Sequence, residues 1–174
     1  MPFTNLSHEK QYTGHVFDVV KVHIQLPDGR KRFYDLVQHG DSVTILPIDE
    51  QGQIYFVRQH RIGADKPLLE LPAGVLNNGE DPLTCAKREL REEIGMDAKS
   101  FQHLGGFYLA PGYADEYMTV FLAKGLFDSP LDPDADEFLN IETMSVSEAY
   151  NHALAGAFED GKTLASLLLA QPFL

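Results

Sequence analysis

Apolar and polar positions alternate through much of the first half of the chain and switch to a helical spacing after residue 80. Residues 16–26 mix β-branched and aromatic side chains, Asp28-Gly29 follows as a tight-turn dipeptide, and 32–38 resume strand character, which predicts an antiparallel hairpin. Segments 42–48 and 53–59 predict a second hairpin around Asp49-Glu50-Gln51-Gly52. A short strand over 68–71 should stop at Pro72, which has no N–H to give to a ladder. Leu83, Ala86, Leu90 and Ile94 then recur at helical spacing and predict a helix over 82–94 with one buried stripe. Its ends carry matching signals: Asp81 suits the N-cap, Pro82 the first helical position, and Gly95 the left-handed position beyond the last turn. Strands are predicted over 101–108, 118–123 and 138–144, the last after a loop rich in proline and aspartate. Two helices close the chain, one capped by Ser145 or Ser147 and the other starting near Gly161. Strands first and helices interleaved afterwards place the chain in the α/β (α+β) class, with N-terminal antiparallel strands. With no repeat or low-complexity linker, 1–174 reads as one domain, a β-rich segment over 1–40 followed by a core over 41–174.

Composition narrows the function classes. The chain has 174 residues, enough to bury a core without staples, and a hydrophobic content of 44% that excludes disorder. Its 26 acidic residues outnumber 14 basic ones, so it lacks the basic footprint of a nucleic-acid or acidic-membrane binder. The single cysteine, Cys85, rules out an intramolecular disulfide and fits a reducing compartment; its position points away from the apolar stripe, which reads as a free thiol without a role. No basic-then-apolar leader opens the chain and no apolar run is long enough to span a bilayer, so the expected location is the cytoplasm. The negative charge gathers in 80–93, 115–116 and 128–142. Carboxylates packed that closely need cations nearby to be tolerable.

The densest of these clusters lies on the predicted helix. At 100° per residue, Glu89 and Glu93 stand one turn apart on the same side and flank the apolar stripe, while Glu92 lies further round, toward solvent or a bound ligand. Three carboxylates so close repel one another, and solvent exposure, protonation or a metal would each relieve the repulsion. Mg²⁺ is suited to such a site because it takes oxygen ligands and shares its sphere with substrate phosphates. Arg88 can offset part of the charge and orient a glutamate through its guanidinium fork.

The full segment reads Gly74, five residues, Glu80, seven residues, then Arg88-Glu89-Leu90-Arg91-Glu92-Glu93-Ile94-Gly95-Met96. Nine positions resemble, in register, the box of the Nudix hydrolases. With each Gly, Glu or Arg at roughly 5–7% usage, a chance match is on the order of 10⁻⁸ to 10⁻⁷. The resemblance implies the Nudix fold, a mixed β-sheet sandwiched between α-helices, and metal-dependent hydrolysis of a nucleoside diphosphate linked to another group. It implies Glu89 and Glu93 as metal ligands, Glu92 as a ligand directly or through water, and Mg²⁺ or Mn²⁺ as the cofactor. Gly74 would allow a tight backbone turn against the helix, and Glu80 would stabilise the loop.

Outside the box the chain is similar to the ADP-ribose pyrophosphatase subgroup. The similarity rests on Val57-Arg58-Gln59-His60-Arg61, on Leu69-Glu70-Leu71-Pro72-Ala73-Gly74, and on Pro111, sixteen residues after Gly95. It implies a metal-binding backbone carbonyl at Ala73 and a substrate-binding set of Arg61, Tyr34, Asp35, Glu70 and Glu116. Many subgroup members carry tryptophan where this chain has Tyr34. For the base that activates water, the resemblance points to the acidic loop Asp132-Pro133-Asp134-Ala135-Asp136-Glu137-Phe138 and within it to Glu137. Some relatives have a second glutamate where this chain has Ala135, and Glu93 or Glu116 is the alternative base if Glu137 ligates metal. Glu137, Glu92, Glu93 and Arg88 thus form the expected catalytic set. The expected reaction is ADP-ribose to AMP and ribose 5-phosphate, with GDP-mannose or another nucleotide sugar as the alternative substrate and a non-catalytic nucleotide sensor as the alternative class. The resemblance also implies a homodimer made through the N-terminal strands, where Phe17, Val19 and Phe33 suit such a contact. Gly161-Lys162-Thr163 echoes the end of a phosphate loop, but Ala155 stands where that motif needs glycine.

Overall fold

The computed structural model describes residues 2–132 and 138–174. Contacts divide the chain into two units, one holding the residues up to Asp41 with Tyr108–Tyr117, the other Ser42–Phe107 with Met118–Leu174.

In the first unit, β1 (Thr4–Thr13), β2 (Phe17–Gln25) and β3 (Lys31–His39) form an antiparallel meander in the order β1-β2-β3. The expected hairpin is β2–β3, in register from Phe17↔His39 to Gln25↔Lys31, with Gly29 in the left-handed turn conformation. Val20 and Val22 point to one face and are buried, as a period of two requires. Strand β1 was not expected. Every one of its residues is exposed, so it carries no apolar alternation and is held by its ladder to β2, with irregularities between Asn5 and Ser7 and between Lys10 and Tyr12. The loop at 108–117 runs beside β3, where Val37 N–H donates to the Tyr113 carbonyl at 2.8 Å and Asp115 N–H donates to the Val37 carbonyl at 3.2 Å.

The second unit is built on a mixed sheet with the path β10-β5-β4-β9-β8. Its strands are β4 (Ser42–Ile48), β5 (Gln53–Arg61), β6 (Lys66–Glu70), β7 (Ala73–Val75), β8 (Met96–Tyr108), β9 (Tyr117–Asp128) and β10 (Asn140–Ser145). Strand β4 is buried at every position, as a central strand covered on both faces must be. It lies parallel to β9 from Ser42↔Met118 to Ile48↔Lys124. Val43 and Ile45 face helix α1 (Pro82–Glu93) and pack with Ala86, Leu90 and Ile94. Leu46 and Ile48 face the other way and pack with Ala149 of α2 (Val146–Leu154) and with Leu167 and Ala170 of α3 (Gly161–Ala170). The result is the expected mixed sheet between helices. The expected caps also form. The Asp81 side chain accepts Leu83 and Thr84 N–H, and Ser145 makes a capping box with Glu148.

Three local expectations change. Strands β4 and β5 meet only at Ile48↔Ile54 and then part, and β6 and β7 fill the gap, β6 against β5 and β7 against β4. The chain does reverse at Leu71-Pro72, but it resumes at once as β7, too short a strand to read from three residues. Because β7 lies against α1, the helix buries a wider arc than its apolar stripe. Cys85 is therefore fully buried in the core, and Leu83, expected inside, is 39% exposed.

Candidate active site

The geometry around the helix glutamates starts from β7. Its pairing Val43↔Gly74 and Thr44↔Ala73 fixes the backbone of Ala73 and Gly74 alongside the central strand. The Pro72 carbonyl accepts the Ile45 N–H at 2.9 Å and the Thr44 hydroxyl at 3.2 Å, so the bend before β7 is tied down. Glu89 and Glu93, one turn apart on α1, are both buried against this segment, at 7% and 5% exposure. The Ala73 N–H donates to Glu93 Oε1 at 3.4 Å. Glu89 lies so close to Gly74 that a Cβ built there would overlap its carboxylate carbon and both oxygens. Gly74 is thus needed for close approach, with its φ outside the left-handed region.

Arg88 ties the cluster together. Its Nη1 donates to Glu89 Oε1 at 2.6 Å and to Glu92 Oε2 at 2.9 Å; Nε and Nη2 donate to the two Glu80 oxygens at 3.1 and 3.0 Å. Nη2 also reaches the Val75 carbonyl at 3.1 Å. The bonds to Glu80, followed by the charges of its neighbours, hold Arg88 well above the ordinary guanidinium value. Glu80 is lowered in return, chiefly by Arg88, and it accepts the Asn77 N–H of the loop at 2.8 Å. Beside them, burial and then the Glu89 charge push the Cys85 thiol up to about 12, so it stays protonated.

The donor set fits a hard divalent cation. Two carboxylates converge on one stretch of backbone whose Ala73 carbonyl could add a third oxygen. Among the described residues no group of three or more His, Cys, Asp or Glu side chains comes together that could hold a metal ion by itself. A site of two glutamates and a carbonyl would leave positions for water and phosphate oxygens, as Mg²⁺ requires.

A second polar cluster in the same unit holds Arg61, at the end of β5. Its Nε and Nη2 donate to Glu70 Oε1 and Oε2 at 2.8 and 2.7 Å. Glu70 is buried at 1% exposure and also accepts the Lys162 ammonium. Burial alone would raise its carboxyl, but Arg61 and Lys162 outweigh it and hold Glu70 below the usual carboxylate range. Both Glu70 oxygens are taken by protein cations, so it lies behind Arg61. Lys162 and its neighbour Thr163, whose hydroxyl accepts the Leu71 N–H at 2.9 Å, stand in the sequence only as part of an incomplete phosphate-loop echo, and their contacts with Glu70 and Leu71 were not foreseen. The available signal was the Asp160-to-Thr163 cap spacing, with Asp160 Oδ2 accepting the Thr163 N–H at 3.0 Å.

Tyr34, Asp35 and Glu116 belong to the other unit. Tyr34 on β3 is half exposed and Asp35 exposed. Glu116 lies 3.7 Å from His39 Nδ1, and the neighbouring Asp115 accepts the His39 N–H at 2.8 Å. Glu137 lies outside the described residues.

Comparison with known proteins identifies the family. ADP-ribose pyrophosphatase of Bacillus subtilis (strain 168) is 33% identical over 160 residues, which is 91% of this chain and 86% of that protein. Methanol dehydrogenase activator of Bacillus methanolicus is 32% identical over 165 residues, 94% of this chain and 89% of that protein. A crystal structure of an ADP compounds hydrolase overlays with a TM-score of 0.88 at 23% identity, covering 100% of this chain and 95% of that one, and shares the fold. The NUDIX domain pattern matches residues 38–167, which take in β7, the whole of α1 and both polar clusters, so this chain belongs to the NUDIX domain family of hydrolases.

Proposed function

We propose that this enzyme hydrolyses the pyrophosphate of a nucleoside diphosphate sugar, and that its substrate is ADP-ribose, cut to AMP and ribose 5-phosphate. The observation that carries the reading is the pair of buried carboxylates, Glu89 and Glu93, both laid against the Ala73-Gly74 backbone. The name of the Bacillus subtilis relative supports the choice of ADP-ribose.

Glu89, Glu93 and the Ala73 carbonyl would hold the divalent cation, with Glu92 joining directly or through water; Mg²⁺ or Mn²⁺ bound there would neutralise the diphosphate and lower the pKa of a water. Arg88 keeps Glu89 and Glu92 in place through the bonds described above. Arg61, held from behind by Glu70, turns toward the diphosphate or the adenine side, for which a guanidinium suits both a phosphate fork and stacking. In the reaction a water oxygen forms a bond to one phosphorus, the bridging P–O bond breaks, and a glutamate takes the water's proton. Glu137 is the proposed base, with Glu93 or Glu116 as the substitute.

Tyr34, Asp35 and Glu116 are proposed to complete substrate recognition in a homodimer. Exposure of Phe17 (43%) and Phe33 (62%) on the three-stranded sheet supports a contact there. No helix among the described residues is long and apolar enough to cross a membrane, which is compatible with the proposed cytoplasmic site of action.

The test is phosphate release through a coupled phosphatase, with ADP-ribose, GDP-mannose, NADH and diadenosine polyphosphates, each with Mg²⁺ and Mn²⁺. ADP-ribose should give the highest kcat/KM. Faster turnover of GDP-mannose would overturn the substrate, and no turnover of any would overturn the catalytic reading in favour of a sensor.

A further inference from the structure

Lys162 has no part in the reaction above, yet the fold buries it at 7% exposure. It occupies the first turn of α3, where the helix dipole disfavours a cation. Its ammonium is bonded to Glu70 Oε2 and, at 3.0 Å, to Asp160 Oδ2. A cation kept in so unfavourable a place needs anions fixed around it, and it fixes them in turn.

We propose that Lys162 is a positioning residue for the pyrophosphate site: it locks Glu70, and through Glu70 it aims the Arg61 guanidinium at the substrate. The proposal rests on the assignment of Arg61 to substrate binding made above.

The bonding pattern sets the direction of the effect. Glu70 spends Oε1 on Arg61 Nε and shares Oε2 between Arg61 Nη2 and Lys162. Its carboxylate plane is thereby fixed from two sides, and the Arg61 fork must lie in that plane to keep both bonds. Arg61 stays 41% exposed while Glu70 is buried, so the guanidinium edge bonded to Glu70 is anchored inside and the side chain still reaches the surface. Three anions act on Arg61: Glu70 through hydrogen bonds, and Glu93 and Asp160 through space. Without Lys162, Oε2 would lose a charged partner, Glu70 could tilt, and Arg61 would be freer to turn toward Glu93. The same first turn of α3 also holds the backbone, because Thr163 Oγ accepts the Leu71 N–H and donates to Asp160 at 2.6 Å. Arg61, Lys162, Glu70 and Asp160 balance two positive charges against two negative ones, so the cluster keeps its geometry without a net charge to bury.

The experiment uses the full chain with ADP-ribose and Mg²⁺ and compares Lys162→Met, Lys162→Gln and Lys162→Arg, with Arg61→Ala alone and combined with Lys162→Met. Loosening a binding contact should raise KM about tenfold in Lys162→Met while kcat changes by less than about threefold. ADP-ribose affinity measured by calorimetry in EDTA should weaken in step. Lys162→Arg should restore most of the loss, and Lys162→Met should add little to Arg61→Ala, as expected for two residues acting through one contact. If Lys162→Met does not fold, Lys162→Gln carries the same reading, since it removes the charge and keeps a donor. An unchanged KM in the folded variant, or losses that add to those of Arg61→Ala, would overturn the proposal. Wild-type kinetics in Arg61→Ala would instead overturn the role of Arg61; a raised KM there with none in Lys162→Met would overturn only the positioning role.

Discussion

Replacing Gly74 by alanine puts a methyl group in place of a hydrogen on a strand of three residues, and the structure says where that carbon would go. Gly74 pairs with Val43 in the ladder, and its φ lies outside the left-handed region, so alanine meets no backbone penalty. The added Cβ would instead overlap the carboxylate of Glu89. Ordinary contact needs about 3.5–4 Å between heavy atoms, so the carboxylate must retreat by roughly 1 Å or more. Retreat is open to the end of a long side chain, but it pulls Glu89 Oε1 off Arg88 Nη1, now at 2.6 Å, and away from the place where a cation would be held. The expected result separates two readouts. Thermal stability should change by about 1 kcal/mol or less, because the loss of one ion pair is offset by the stiffer unfolded chain. The rate should not be spared: a misplacement of about 1 Å at a reacting centre costs on the order of 10²-fold, so kcat/KM should fall about that far and the Mg²⁺ needed for half-activation should rise. The assay is ADP-ribose hydrolysis across a Mg²⁺ titration, with a thermal melt of each variant. In a Glu89→Ala background the same Gly74→Ala change should do nothing further. Unchanged kcat/KM and Mg²⁺ dependence would refute the argument, as would a loss of several kcal/mol of stability, which would mean that Glu89 cannot yield.

Glu93→Gln keeps size and hydrogen bonding and removes the charge; kcat/KM should fall about 10²–10⁴-fold with an unchanged circular dichroism spectrum, and near-normal turnover would contradict its assignment. Leu90 is fully buried between α1 and the sheet, so Leu90→Ala should cost about 2–5 kcal/mol in urea unfolding, and a loss under about 1 kcal/mol would show that the core there relaxes freely. Glu70 has a lowered carboxyl because Arg61 and Lys162 outweigh its burial. A lowered folded-state value stabilises the fold above the ordinary glutamate value, and that contribution is lost as pH falls through the depressed one. Thermal melts of wild type and Glu70→Gln should therefore converge as the solution is acidified through that window, and a gap that widens would refute the assignment.

Sequence alone determined the elements whose signals are local. The helix carrying the glutamates announces itself by Asp81, Pro82 and Gly95 and by apolar spacing, and all three end signals recur in the structure as cap, first-turn proline and left-handed glycine. The spacing of Glu89 and Glu93 placed both on one side of that helix, and the box register named the family, because those residues sit within one short segment. What depended on segments far apart in the chain was not legible. Strand β1 has no apolar alternation and exists through pairing with β2. Cys85 and Glu89 are buried because β7 covers a flank of α1 that the helical pattern assigns to solvent. Lys162 and Glu70 stand 92 residues apart and meet only because α3 packs its first turn on the end of β6. Periodicity reports which side of an element is apolar; which neighbour arrives to cover a polar side, and so which charges become buried partners, is decided by tertiary packing.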